Sequence, residues 1–190
     1  FLSDGDNIQW MMQDFASRYY DVPEAEDVKM TFGLPVATLA MMAPVQFNNL
    51  MGLQKQNCSL MEMLGGGYYY VDTYSQDHNR KTNLRVAAKR LAVSMRQYQI
   101  KLLGIMAMDV KSEAAKEAYQ VYVDANDQLE GIVVLQYSPY AGGEGEVFWV
   151  TNKAGYDIPV ITVKYSLWDR IHEREGSPDF IASKLKEEAQ

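Results

Sequence analysis

A chain of 190 residues, 47% hydrophobic and 23% charged, has the size and make-up of one globular domain with a sizeable core. Its net charge of −7 argues against a nucleic-acid binder, which needs clustered Lys and Arg. No apolar run approaches the roughly 20 residues that span a bilayer, and the single cysteine, Cys58, excludes an intrachain disulfide and a multi-cysteine metal site. Thirteen tyrosines and 12% aromatic residues favour a concave, aromatic-lined site. The chain opens on Phe1-Leu2-Ser3 with neither an initiator Met nor a signal peptide, so it is expected to be a piece of a longer protein.

In chain order, Phe1-Leu2-Ser3 reads as the end of a strand and Asp4-Gly5-Asp6-Asn7 as a loop into a helix. Ile8, Met11, Met12 and Phe15 share a face at helical spacing. Residues 28–32 form a short strand. Residues 34–53 are apolar and helical, with a break expected near Pro44, because proline removes a backbone donor and restricts its predecessor. Gly65-Gly66-Gly67 then leads into a strand, Tyr68-Tyr69-Tyr70-Val71. A period of two puts Tyr68 and Tyr70 on one face and Tyr69 on the other.

Residues 83–98 form the clearest amphipathic helix, with Leu84, Ala87, Leu91, Met95 and Tyr98 opposite Arg85, Lys89, Arg90 and Arg96. Residues 102–108 are a continuous apolar run, as in a strand buried on both faces, and end at Asp109. A helix with Ala115, Ala118, Tyr119 and Tyr122 on one face follows. Residues 132–135 and 158–163 repeat the buried-strand pattern and end in Gln136-Tyr137 and Lys164-Tyr165. Ser177-Pro178 is an N-cap with proline at the first helical position, opening a helix to about Glu188.

Buried strands alternating with helices predict a parallel α/β fold of about six or seven strands. A closed (β/α)8 barrel takes about 250 residues, so an irregular or incomplete (β/α) barrel-like sheet fits residues 1–190 as one domain. An open doubly wound sheet is the alternative. No G-x-G-x-x-G follows a strand, which leaves a dinucleotide fold without support.

In parallel α/β folds ligands bind at the C-terminal ends of the strands. That rule selects Asp4, Asp6 and Asn7 from the first strand, and Asp72 and Tyr74 after the tyrosines. It then selects Asp109, then Gln136, Tyr137 and Tyr140, and last Lys164, Tyr165 and Trp168. Carboxylates for acid–base work and aromatics to stack on sugar rings are the inventory of a carbohydrate site. Each has a plainer reading: Asp6, Asn7 and Asp109 also suit helix N-caps, Asp72 suits a strand-end turn, and the tyrosines suit a covered core. Gly142-Gly143-Glu144-Gly145-Glu146 reads as a flexible loop beside Tyr137 and Tyr140. Asp4-Gly5-Asp6 resembles the acidic motif of polysaccharide deacetylases. Those enzymes also use two closely spaced histidines, whereas His78 and His172 are far apart; no metal and no cofactor is expected.

Gly65-Gly66-Gly67-Tyr68-Tyr69-Tyr70-Val71 resembles the signature of the GxGYxYP family, a group described as glycoside hydrolases. Gly65, Gly67, Tyr68 and Tyr70 match; Val71 stands where the family has proline. Asp4-Gly5-Asp6-Asn7 is similar to the family's acidic opening motif. Leu34-Pro35-Val36-Ala37-Thr38-Leu39-Ala40 with Ala43-Pro44 is similar to the segment before the signature. Trp149, Ile158-Pro159-Val160 and Tyr165-Ser166-Leu167-Trp168 are similar to the closing block. The resemblance implies a barrel-like C-terminal domain, normally preceded by a smaller N-terminal domain, in an extracellular or periplasmic protein that acts on polysaccharides. The expected catalytic pair is Asp6 and Asp109, with Asp4 as the alternative partner. Asn7, Gly67, Tyr68, Tyr70, Asp72, Tyr137, Tyr165 and Trp168 are expected to bind the sugar. A carbohydrate-binding module without turnover is the second reading, and a structural domain whose acids are only caps is the third.

Overall fold

A computed structural model describes residues 2–4, 8–23, 28–52, 58–64, 67–75, 78–168 and 173–190. Seven strands form one sheet: β1 (Leu2–Asp4), β2 (Met30–Leu34), β3 (Cys58–Met63), β4 (Leu102–Ala107), β5 (Gly131–Gln136), β6 (Val147–Thr151) and β7 (Asp157–Thr162). Their order is β1-β2-β3-β4-β5-β7-β6. Every pairing is parallel except that of β6, which runs antiparallel to β7 at the sheet's edge. The expected parallel α/β fold is present. From β1 to β5 the described strands follow chain order without reversal, so among them there is no switch point of the doubly wound kind.

The α-helices among the described residues are α1 (Ile8–Met11), α2 (Val36–Met42), α3 (Pro44–Gly52), α4 (Arg80–Gln97), α5 (Glu113–Ala125) and α6 (Pro178–Glu188), with a short π-helix at Ala16–Tyr20. The break between α2 and α3 falls at Ala43, beside Pro44 as expected. On α5 the buried face carries Ala115, Ala118, Tyr119 and Tyr122, as the spacing predicts. Its cap is Ser112, whose Oγ accepts the Ala115 N–H at 3.2 Å. Ser177 caps α6 by accepting the Phe180 N–H.

Strand residues alternate between two apolar cores, because successive side chains leave a strand on opposite faces. Phe32, Leu34, Leu60, Leu103, Ile105, Ile132, Val134 and Val160 face the helices, packing with Leu39, Leu84, Leu91, Ala118 and Tyr122. Met61, Met63, Met106 and Leu135 face the other way, and no helical residue among those described joins their cluster. Gly33 and Gly104 flank β3 on that second face. A Cβ on Gly33 would lie 2.7 Å from Met63 Sδ, and one on Gly104 2.6 Å from Met61 Cε. The two methionines therefore lie flat over their neighbouring strands, and Leu2 of β1 packs against the same cluster. Unbranched, polarizable Met suits such a tight fit.

Three details differ from expectation. The strand near the signature is β3, before the glycines; residues 68–71 contribute only a single bridge, Tyr70 to Met106. Tyrosine's strand preference misleads here, because that preference reflects the packing surface more than the backbone. β6 is an additional strand. Its edge position leaves Val147 and Trp149 exposed while Phe148 and Val150 pack inward. Met12 is exposed although Met11 and Phe15 are buried, since α1 ends at Met11 and the helical period stops there.

Candidate functional site

Five aromatic rings form an unbroken row across the C-terminal ends of the strands. Tyr68 meets Tyr70 edge-on with centroids 5.9 Å apart, and Tyr70 meets Tyr137 at 5.4 Å. Tyr137 meets Tyr140 at 5.7 Å, and Tyr140 meets Trp168 at 6.4 Å. These separations are those of favourable aromatic pairs. Exposure alternates along the row. Tyr68, Tyr137 and Trp168 are 54%, 39% and 79% exposed, and half-buried Tyr70 and Tyr140 between them pack on the methionine core. The buried rings brace the exposed ones, which present their surface to solvent.

The five rings arrive by three connections. Tyr68 and Tyr70 sit in the β3–α4 connection, where the chain turns sharply at Leu64 (φ 57°) and Gly67 (φ 130°). A side chain at Gly67 would meet nothing within 4 Å, so glycine is needed there for its dihedral alone. Val71 N–H then donates to the Met106 carbonyl at 2.9 Å, locking Tyr70 beside the end of β4. From behind, Arg80 Nη2 donates to the carbonyls of Val71 at 2.6 Å and Ala114 at 2.9 Å, while its Nη1 holds the Glu117 carboxylate. Tyr69 takes the opposite side, as the period of two predicts. Its hydroxyl lies 2.5 Å from that of Tyr122, and burial pushes both hydroxyls up from their usual pKa.

Asp72 is a turn residue of a demanding kind. Its two oxygens accept the Met108 N–H at 3.0 and 3.1 Å, and one also accepts the Asp109 N–H at 2.9 Å. The β3 connection thereby holds the segment that presents Asp109. Asp109 is exposed, and its Oδ1 accepts the Lys111 N–H at 2.9 Å. It shapes a turn and caps no helix, since Ser112 has that task. Asp4 ends β1, paired in register with Gly33, three strands from β4. Asp6, Asn7, Gly65, Gly66 and His172 lie outside the described residues. Among those described, no group of three or more His, Cys, Asp or Glu is arranged to hold a metal ion.

The loop after Tyr140 is packed down on the strand ends. A Cβ on Gly142 would meet Gln136 at 2.0 Å and one on Gly143 would meet Thr162 Cβ at 2.3 Å. Thr162 Oγ1 donates to the carbonyls of Gly143 and Glu146. Glu146 pairs with Lys111 at 2.9 Å, so this acid braces the loop beside Asp109, and its hydrogen bond raises the pKa of the lysine. Gly143→Ala is expected to destabilise the domain by about 1–3 kcal/mol, the cost of overpacking a tight site. Urea denaturation measures it, and a loss below the experimental error would mean the loop is free to lift.

Tyr165 does not join the row. Its hydroxyl donates to Glu188 of α6, and Lys164 and Arg174 lie over its ring. Tyr140 takes the place expected of it, between Tyr137 and Trp168. Glu62 and Glu175 are carboxylates of the strand ends that sequence patterns miss. Glu62 is 1% exposed at the end of β3 and accepts the Ala37 N–H in the first turn of α2 at 2.8 Å, where the helix dipole favours an anion. A broad, shallow groove lined by Arg96, Lys101, Glu130 and Tyr156 opens at the opposite rim, at the starts of β4, β5 and β7. Parallel α/β folds do not place their sites there.

The family model of the GxGYxYP putative glycoside hydrolase C-terminal domain matches residues 1–189. The chain belongs to this family. No curated protein and no solved structure matches it. As in the family's signature, the GxGYxYP glycine–tyrosine run stands in this chain as Gly65 to Val71. Its described part, residues 67–71, supplies the turn at Gly67 and the first two rings of the row, and Val71 uses the N–H that proline would lack to bond Met106. No helix among the described residues is long and apolar enough to cross a membrane.

Proposed function

We propose that this domain hydrolyses glycosidic bonds in an extended polysaccharide. The row of Tyr68, Tyr70, Tyr137, Tyr140 and Trp168 is the sugar platform, and Asp109 works with Asp6 or Asp4 as the acid–base pair. The observation that carries this reading is the continuity of the row. Rings 5.4–6.4 Å apart, exposed at both ends and in the middle, suit a chain of several sugar units better than a single small sugar. One carboxyl group protonates the leaving glycosidic oxygen. The other attacks the anomeric carbon or takes a proton from the attacking water, and water is consumed as the bond breaks. The two groups must stand about 5–5.5 Å apart for retention or about 6.5–9.5 Å for inversion.

A carbohydrate-binding module without turnover is the second reading. It is favoured by Asp109, which is exposed and whose Oδ1 is committed to the Lys111 N–H. The test is a panel of linear polysaccharides offered to the full-length protein, its Tyr137→Ala variant and its Trp168→Ala variant. Each substitution is expected to weaken binding about tenfold, the loss of one stacked aromatic contact. Binding unchanged in both variants would remove the row as the platform. Release of reducing ends separates the hydrolase from the module.

A further inference from the structure

Three connections build the row, and one buried carboxylate joins the last two of them. Tyr137 and Tyr140 belong to the loop after β5; Trp168 belongs to the segment after β7. Glu175 lies on the return from that segment, bridged to Ser166. Its backbone is fixed on several sides. Ser166 N–H donates to the Arg174 carbonyl at 3.2 Å, and Gly176 N–H donates to the Ser166 carbonyl at 3.0 Å. A Cβ on Gly176 would press the Phe180 ring of α6 at 2.8 Å. From this fixed position Glu175 Oε1 accepts the Ala141 N–H, the residue after Tyr140, at 3.1 Å.

Glu175 is 4% exposed, and its Oε2 is buried with no hydrogen-bond partner among the described residues. A buried carboxylate with half its acceptor capacity unused is a poor stabiliser, since its desolvation cost offsets much of what its bond returns. A well-packed apolar residue folds such a position at least as well. Among the described residues, its hydrogen bond fixes the Tyr140–Ala141 turn against the Trp168 segment. The parallel tie, Arg174 to Glu144 at 3.8 Å, is long and exposed and holds the loops only weakly.

Resting on the platform reading above, we infer that Glu175 is a positioning residue of the sugar site: it sets the gap between Tyr140 and Trp168, and so the grip of the far end of the row on a long chain. It touches no substrate itself and acts through Ala141. A saccharide long enough to reach Trp168 senses it; a short one seated on Tyr68, Tyr70 and Tyr137 does not.

The test uses Glu175→Ala and Glu175→Gln in the full-length protein, with folding checked by circular dichroism. Gln keeps an acceptor oxygen for Ala141 and should behave as the parent does. Without any sugar, acrylamide quenching of Trp168 in a form whose other tryptophans are Phe should rise in Glu175→Ala and return in Glu175→Gln. Quenching identical in all three forms overturns the inference, whatever the protein binds. The second arm compares linear trisaccharides and hexasaccharides of β-1,4-glucan, β-1,4-xylan and α-1,4-glucan. Glu175→Ala should cut the preference for the longer chain about tenfold with trisaccharide affinity unchanged. Equal loss for both lengths would reduce Glu175 to a structural tie. Parent protein that binds none of the panel, with the quenching difference present, would sink the platform reading and leave the positioning role standing.

Discussion

Asp109→Asn is expected to lower polysaccharide turnover by about 10²- to 10⁴-fold, the usual contribution of a positioned acid or base, while affinity stays the same. The substitution tests charge alone. The Asn side-chain oxygen still accepts the Lys111 N–H that Asp109 Oδ1 accepts at 2.9 Å. The backbone N–H remains bound to Asp72, and Ser112 still caps α5. The turn therefore stands with one negative charge removed. Initial rates of reducing-end release and calorimetric titration measure the two quantities separately. A full rate with full binding would remove Asp109 from the chemistry. A rate and an affinity that fall together would mean that the turn, rather than the carboxylate, has been altered. Asp6→Asn is the companion variant, because a working pair needs both members.

The aromatic row was legible in the sequence to the extent that its signals are local. Tyr68 and Tyr70 share a face by the period of two, and Tyr137 and Trp168 follow buried strands, so strand-end logic finds them. Tyr165 satisfies the same logic and yet faces away, because Glu188, 23 residues later on α6, takes its hydroxyl. No pattern around Tyr165 announces that partner. Glu175 is the converse case. Its neighbours Arg174 and Gly176 look like an ordinary solvated loop, and its burial is set by Ala141, 34 residues earlier. Residues whose role is fixed by one distant backbone N–H escape any reading by spacing.

The same division runs through the fold. Ser177-Pro178 places the start of α6 correctly because capping chemistry and proline geometry act within three residues. β4 and β5 are plain because strands covered on both faces are apolar throughout. β3 is hidden by Ser59 and Glu62. Ser59 is satisfied by Thr31 across the sheet at 2.9 Å, and Glu62 by the first turn of α2. Both polar groups are tolerable only once neighbouring elements have supplied partners, so the strand reads as polar until the fold is known. β6 fails to alternate for another reason. Its outer residues Val147 and Trp149 are apolar yet exposed, which erases the usual difference between its faces.

Tyr119→Ala is expected to cost about 4 kcal/mol, within the range for truncating a buried aromatic. The side chain is fully buried, with its ring 6.1 Å from Phe148 of β6. Its hydroxyl donates to the Val110 carbonyl at 2.7 Å. Burial raises the pKa of that hydroxyl well above its usual value, with smaller contributions from Asp72 and Asp109. It therefore remains a donor across neutral and mildly alkaline pH. Removing the ring leaves a cavity between α5 and β6 and an unpaired carbonyl at Val110, which is itself 0% exposed. Such a loss is a large share of the roughly 5–15 kcal/mol that holds a typical domain together. Tyr119→Phe separates the two effects. It keeps the ring and removes only the bond, at an expected cost of about 1–2 kcal/mol. Urea midpoints at constant slope give both values. Val110 follows Asp109 directly, so the Phe variant should also lose turnover out of proportion to its stability, because the turn that aims Asp109 has lost its anchor in the core. A Phe variant with the stability and the rate of the parent would show that the Val110 bond holds nothing, and that Asp72 alone places the acid.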